Sequence, residues 1–258
     1  MFSRKRVGVI ELNGIVGRGI RPDLHVPLLE RARKSRRIGA LVLVVDSPGG
    51  AAAASEELYL AVAKVADVKP VVALVRERGA SGAYYISCAA HKVVAVRNAV
   101  VGSIGVIFAR PVAEQMFQKL GLSFSVQKAG ANKDMFGPWR APTPEETRKV
   151  QALTDEIYER FVEVVAERRK LDVARVKELA TGELYTAQRA VTLGLIDELG
   201  DLERAVELAA SMAKVKPRTV QLRPRRRFIR LFQAGIAREM TEAVMEEFEL
   251  GLMGKLWM

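Results

Sequence analysis

The residues best placed to do chemistry lie between Arg78 and Ile107, in the run RGASGAYYISCAAHKVVAVRNAVVGSIGVI. Gly79, Ala80, Ser81, Gly82 and Ala83 make a small-Ser-small turn. It sits between a β-branched run, Val71 to Val75, and an apolar segment of helical length, Tyr84 to Ala90. A serine at such a strand-to-helix turn exposes its hydroxyl above a sheet while neighbouring amides point at the same spot. That is the logic of a nucleophile elbow, although the spacing is not that of the α/β-hydrolase motif. The pentapeptide alone also suits a plain close-packed turn, because Gly and Ser are ordinary turn residues. A second glycine turn, Pro48-Gly49-Gly50, comes after the apolar run ALVLVV at Ala40 to Val45. Ligands in open α/β sheets bind beyond the carboxyl ends of strands, so both turns are expected to face one crevice. Acyl transfer needs a nucleophile and amides aimed at the developing oxyanion. Gly49 and Gly50 would let backbone approach, and the amide of Gly82 comes directly after Ser81. Neither strand leads into G-x-G-x-x-G and no P-loop lysine is present, which leaves a nucleotide site without support.

A serine hydroxyl needs a base within hydrogen-bond reach. The sequence has two histidines. His91 is ten residues beyond Ser81, at the far end of the expected helix, and His25 lies on an early helix rich in leucine and charge. A Ser-His-Asp arrangement is therefore not expected. A lysine serves if burial lowers its pKa from about 10.4 towards about 7–8. The Gly- and Pro-rich stretch Lys128 to Pro144, KAGANKDMFGPWRAPTP, carries two lysines near its start, Lys128 and Lys133, and both are candidates.

Composition sets outer limits. The 258 residues, 49% of them hydrophobic, allow one large α/β domain with an appendage and exclude a disordered chain. The single cysteine, Cys88, rules out an intrachain disulfide framework and reads as a core thiol. Neither histidines nor carboxylates cluster at ligand spacing, so no metal and no cofactor is expected. The net charge of +11 is concentrated. Lys214, Lys216, Arg218, Arg223, Arg225, Arg226, Arg227 and Arg230 fall in one stretch without an acidic residue. Amphipathic residues come next, which points to a subunit contact or an anionic lipid surface rather than nucleic acid. No run of eighteen apolar residues occurs, so no membrane-spanning helix is expected, and the N-terminus does not read as a signal peptide.

These residues need elements to hold them. Strands are expected at Val7 to Leu12, Ala40 to Val45, Val71 to Val75, Lys92 to Val96, Gly105 to Phe108 and Ser123 to Gln127. Helices are expected at 22–37, 52–66, 84–90, 112–120, 145–170, 173–180, 187–193 and 202–213. Apolar strands without alternation, separated by helices, are the pattern of βαβ crossovers around a mostly parallel sheet. The chain is expected to divide into a catalytic domain, 1–213, and a basic, amphipathic C-terminal extension, 214–258.

Four motifs at consistent spacing resemble the signal peptide peptidase A family: DSPGG at Asp46 to Gly50, GASGAYYISCAAHKVVA around Ser81, GSIGVI at Gly102 to Ile107, and GELYTAQRAVTLGLIDELG at Gly182 to Gly200. The resemblance runs from about Val7 to Ala213. It implies the Clp protease/crotonase-like fold and a serine endopeptidase with a Ser-Lys dyad. By motif the nucleophile falls on Ser81, the general base on Lys133 within KAGANKD, and the oxyanion amides on Gly50 and Gly82; Lys128 only opens that run. It also implies peptide substrates such as signal peptide remnants, and ring-like homo-oligomers in which the dyad is assembled from neighbouring subunits.

Family members usually carry an N-terminal membrane anchor, and none is read here. The expectation is a membrane-associated or soluble chain without a transmembrane helix, in the cytoplasm or at the membrane periphery. Small residues around Ser81, with Val100 to Phe108 as a pocket wall, predict cleavage after small or aliphatic residues of unfolded peptides. A crotonase-like acyl-CoA enzyme and a non-catalytic ring-forming scaffold are the competing readings of the same fold.

Overall fold

In a computed structural model, residues 5–224 are described. The sheet is built around the two apolar runs seen in the sequence. β1 (Arg6–Asn13), β2 (Ile38–Ser47) and β3 (Val71–Ala80) pair in parallel, with β2 between the others. β2 is apolar without alternation because both its faces are covered. Leu41, Leu43 and Val45 enter one core, and Ala40, Val42 and Val44 enter another on the opposite side. The first core also holds residues of α1 (Pro22–Lys34), α2 (Ala52–Ala66), α3 (Gly82–Ser87), α5 (Pro144–Arg169), α6 (Val173–Leu179) and α7 (Ala187–Thr192). The second is closed by α8 (Leu202–Met212), through Ala205, Val206, Ala209 and Ala210.

β3 changes partners along its length. Val72 to Val75 pair with β4 (Lys92–Ala95), whereas Arg78 to Ala80 pair with β5 (Val100–Gly102). Against β2 the register jumps from Val45↔Val75 to Ser47↔Gly79, so three residues of β3 oppose Asp46 alone. Such a bulge bends the strand and re-aims its carboxyl end. That end delivers Ser81. β6 (Leu184–Thr186) pairs antiparallel with β5 and β7 (Glu198–Leu199) pairs with β4, while β8 (Thr219–Gln221) adds to β1.

The α/β architecture is as the sequence reading has it. Two expected strands are not formed: Gly105 to Phe108 and Ser123 to Gln127 have no ladder partner among the described residues. The edge of β5 is already taken by β6, and Ile107 stands 92% exposed. Between them lies the short α4 (Glu114–Lys119), with no buried residue. Four short strands, β5 to β8, have no period of their own in the sequence. β8 lies inside the stretch assigned to the extension, in a unit that continues to Pro224. The remainder of the extension, including the amphipathic sets after Phe228, lies outside the described residues.

Candidate active site

Ser81 sits where β3 gives way to α3, with φ 50° and ψ −126°, neither strand nor helix. A non-glycine residue held at such a conformation costs on the order of 1–3 kcal/mol and persists only where the surroundings over-determine it. Here they do. The Ser81 N–H donates to the Gly102 carbonyl at 2.8 Å, and the Ser81 carbonyl accepts from Tyr85 N at 3.0 Å, starting α3. Ser81 is half-exposed, and among the described residues its hydroxyl makes no hydrogen bond, so it is open to a reactant.

The glycines around it are close-contact residues. A Cβ on Gly82 would lie 2.2 Å from Ser55 Oγ. A Cβ on Gly49 (φ 99°) would lie 2.7 Å from Ser81 Cβ and 2.8 Å from Gly82 N, and one on Gly50 (φ 151°) would lie 2.2 Å from the Val16 carbonyl oxygen. The two turns expected to share a crevice are thus in contact, and both end parallel strands that are neighbours. Gly50 N is 3.6 Å from the point where a Gly82 side chain would begin. Several bonds fix this arrangement. Val16 N donates to Gly49 O at 2.8 Å, Ala51 N to Val16 O at 3.0 Å, Gly49 N to Ser47 Oγ at 3.1 Å, and Ser55 Oγ to Ala51 O at 3.0 Å. Val16, Ser55 and the Gly102 carbonyl were not singled out from the sequence. Gly14, Gly17 and Gly19 surround Val16 in the sequence, but nothing there names its partner.

Neither histidine serves Ser81. His91 Nδ1 accepts from Val71 N at 3.1 Å, at the opposite end of β3 from Ser81. The ring of His25 is buried, with Nδ1 held by the backbone of Arg21, 2.8 Å from its carbonyl oxygen. Cys88 is buried and its thiol pushed up to about 12 by desolvation, an inert core residue.

The lysines separate clearly. Lys128 Nζ donates to Asp134 Oδ1 at 2.5 Å and to Ala131 O at 3.0 Å, a structural bond across the loop. Lys133 lies on the turn between them, with its backbone N donating to Gly130 O at 3.2 Å. Its side chain is exposed and, among the described residues, makes no hydrogen bond or ion pair. Within one chain Lys133 and Ser81 are not joined.

The family model for peptidase family S49 matches residues 63–216, which include Ser81, Gly82 and Lys133 but not the Gly49-Gly50 turn. A Synechocystis protein named as a putative protease is 37% identical over 85% of this chain and 79% of its own length. The chloroplastic serine protease SPPA of Arabidopsis thaliana is 30% identical over 83% of this chain but only 33% of its own length. Among solved structures, a mutant form of the 1510-N membrane-bound stomatin-specific protease superposes with a TM-score of 0.54 at 15% identity. It covers 86% of this chain and 99% of that one, a likeness of fold. An elbow serine meeting a double-glycine turn, on a mostly parallel α/β sheet, is thus found in a chain whose sequence is similar to those of proteases. The chain belongs to peptidase family S49, the signal peptide peptidase A family, and is a serine peptidase.

Proposed function

We propose that this peptidase cleaves unfolded apolar peptides, signal peptide remnants among them, through a Ser-Lys dyad of Ser81 and Lys133. The observation that carries the reading is the strained Ser81 turn packed against Gly49-Gly50, with a free hydroxyl. Ser81 Oγ attacks the scissile carbonyl. The neutral amine of Lys133 takes the hydroxyl proton and passes it to the leaving amine, and the carbonyl oxygen gathers charge against the amides of Gly50 and Gly82. Water then releases the acyl group by the same path.

Lys133 reaches a serine in a second copy of the chain. Two observations favour assembly. Ser81 and Lys133 are not joined within one chain, and residues 107–136 expose Ile107, Phe108, Val112, Met116, Leu120, Leu122, Phe124, Val126 and Phe136 together. Apolar surface of that extent on one segment marks an interaction site. A ring of copies is the assembly expected, with the basic extension packing against a neighbouring subunit, and peripheral contact with anionic lipid is the alternative for it. No described helix is long and apolar enough to cross a membrane.

The substrate reading rests on pairing of an extended peptide beside the small residues at Ser81. A library of unfolded peptides tests it. Cleavage after small or aliphatic residues, and little action on compact proteins, is the expected pattern; efficient cleavage after Lys or Asp contradicts it.

A further inference from the structure

Lys133 precedes an aspartate, the wrong neighbour for a lysine that must lose its proton, because a nearby carboxylate favours the ammonium. In this chain that carboxylate is already engaged. Arg140 donates from Nε to Asp134 Oδ2 at 3.2 Å and from Nη2 to Asp134 Oδ1 at 3.1 Å. The same guanidinium holds Glu146, with Nη1 to Oε2 at 2.8 Å and Nη2 to Oε1 at 2.5 Å. Glu146 closes the capping box at the start of α5: Thr143 N donates to its Oε2 at 2.9 Å, and its own N donates to Thr143 Oγ1 at 3.2 Å. The side chains of Asp134, Arg140 and Glu146 are 10%, 26% and 7% exposed, in a loop whose other side chains are largely open. A planar fork of five donors is the group suited to holding two carboxylates at once.

We propose that Arg140, bridging Asp134 and Glu146, is the positioning residue of the general-base loop. It ties the turn that carries Lys133 to the rigid 26-residue helix α5 and neutralises the carboxylate beside Lys133. This inference rests on the reading of Lys133 as the base. The other charged groups around the turn have partners of their own. Lys128 bonds Asp134, Lys149 bonds Asn132 Oδ1 and Glu145, and Glu114 accepts from Ala141 N. Arg140 is the cation that two carboxylates share.

The test compares the wild-type chain with Arg140→Met, Arg140→Lys, Asp134→Asn and Lys133→Ala on one apolar chromogenic peptide, reading kcat, KM, the pH profile of kcat/KM and thermal melting. Arg140→Met is expected to lower kcat about a hundredfold with KM nearly unchanged, as a misplaced catalytic group does. Its profile should also move to higher pH by about one unit, because Glu146 loses its counter-cation and Asp134 keeps only Lys128, and the added negative charge favours the ammonium. Arg140→Lys should restore the position of the profile but only part of kcat, since a point charge lacks the fork. Asp134→Asn removes tether and charge together, so kcat should fall without an alkaline shift; this variant decides the matter should Arg140→Met fail to fold. Wild-type kcat in both Arg140→Met and Asp134→Asn overturns the inference, and so does a loss of activity that tracks lowered melting with an unmoved pH profile. If Lys133→Ala is active, the base assignment itself fails. If Lys133→Ala is dead while Arg140→Met is unimpaired, only the positioning role fails.

Discussion

Ser81 is held by neighbours that leave it almost no freedom, which is why its substitution is a clean probe. Ser81→Ala needs no extra room, so it should fold normally while peptide hydrolysis falls about a thousandfold or more. Retention of a tenth of the activity would sink the nucleophile assignment. Gly82→Ala should be worse than its one added methyl implies, because that methyl would start 2.2 Å from Ser55 Oγ. It should cost both thermal stability and turnover, measured together, with turnover falling further. At Lys133 the decisive substitution is arginine, since guanidinium cannot give up its proton. Lys133→Arg should be as inactive as Lys133→Ala, while Lys128→Ala, which loses only its bonds across the loop, should lose much less. An active Lys133→Arg would show that the position supplies charge and not a base. At this scale the serine and the glycines were legible in the sequence, because a strained turn and a close backbone approach restrict the residue types that fit. Choosing between Lys128 and Lys133 was not legible from spacing. The family resemblance favours Lys133, and the ion pair of Lys128 with Asp134 supports that proposal.

Elements are legible where burial dictates composition. Helix α2 spans Ala52–Ala66, as its apolar spacing has it, and β2 is apolar throughout because both faces are covered. Legibility ends where a strand exists only by virtue of its partner. β5, β6 and β8 have three residues each and β7 has two, too few for any period to register. Conversely, Gly105 to Phe108 and Ser123 to Gln127 have strand-like composition but pair with no strand among the described residues. The α5 terminus supplies a pH prediction. Bonds from Arg140 lower the Glu146 carboxyl from 4.5 to about 2 in the folded chain. A carboxylate depressed on folding stabilises above its unfolded value, and that contribution is lost as pH falls towards the folded one. Hydrogen-exchange protection factors at the α5 N-terminus and in the loop before it should therefore fall as pH drops from 4.5 to about 2, ahead of those of the sheet amides. Simultaneous loss everywhere would mean that the network does not hold this region separately.

For the whole molecule, the basic stretch read from the sequence overlaps the folded unit, which runs to Pro224. Arg218 lies in the basic stretch, yet its carbonyl accepts from Val7 N at 2.8 Å, and β8 beyond it extends the sheet. A truncation meant to probe the extension must therefore come after Pro224, since one after Ala213 would strip an edge strand as well. Removal of 225–258 is expected to dissociate the particle and lower activity with it. A particle that stays assembled but loses salt-sensitive binding to anionic vesicles would assign the segment to lipid instead. The proposed sharing of the dyad between copies has its own consequence. Ser81→Ala and Lys133→Ala chains, each inactive alone, should regain activity when co-assembled, because some sites then pair an intact serine with an intact lysine. No recovery in mixed particles would place both groups of each dyad within one chain.

The central claim, that Ser81 is a lysine-activated nucleophile, is tested most directly by treating the protein with a fluorophosphonate and locating the adduct by peptide mass spectrometry. The expected result is a single modified peptide bearing the label on Ser81, no labelling in Ser81→Ala, and strongly slowed labelling in Lys133→Ala. A label on another serine, or peptide hydrolysis that persists after Ser81 is fully modified, would contradict it.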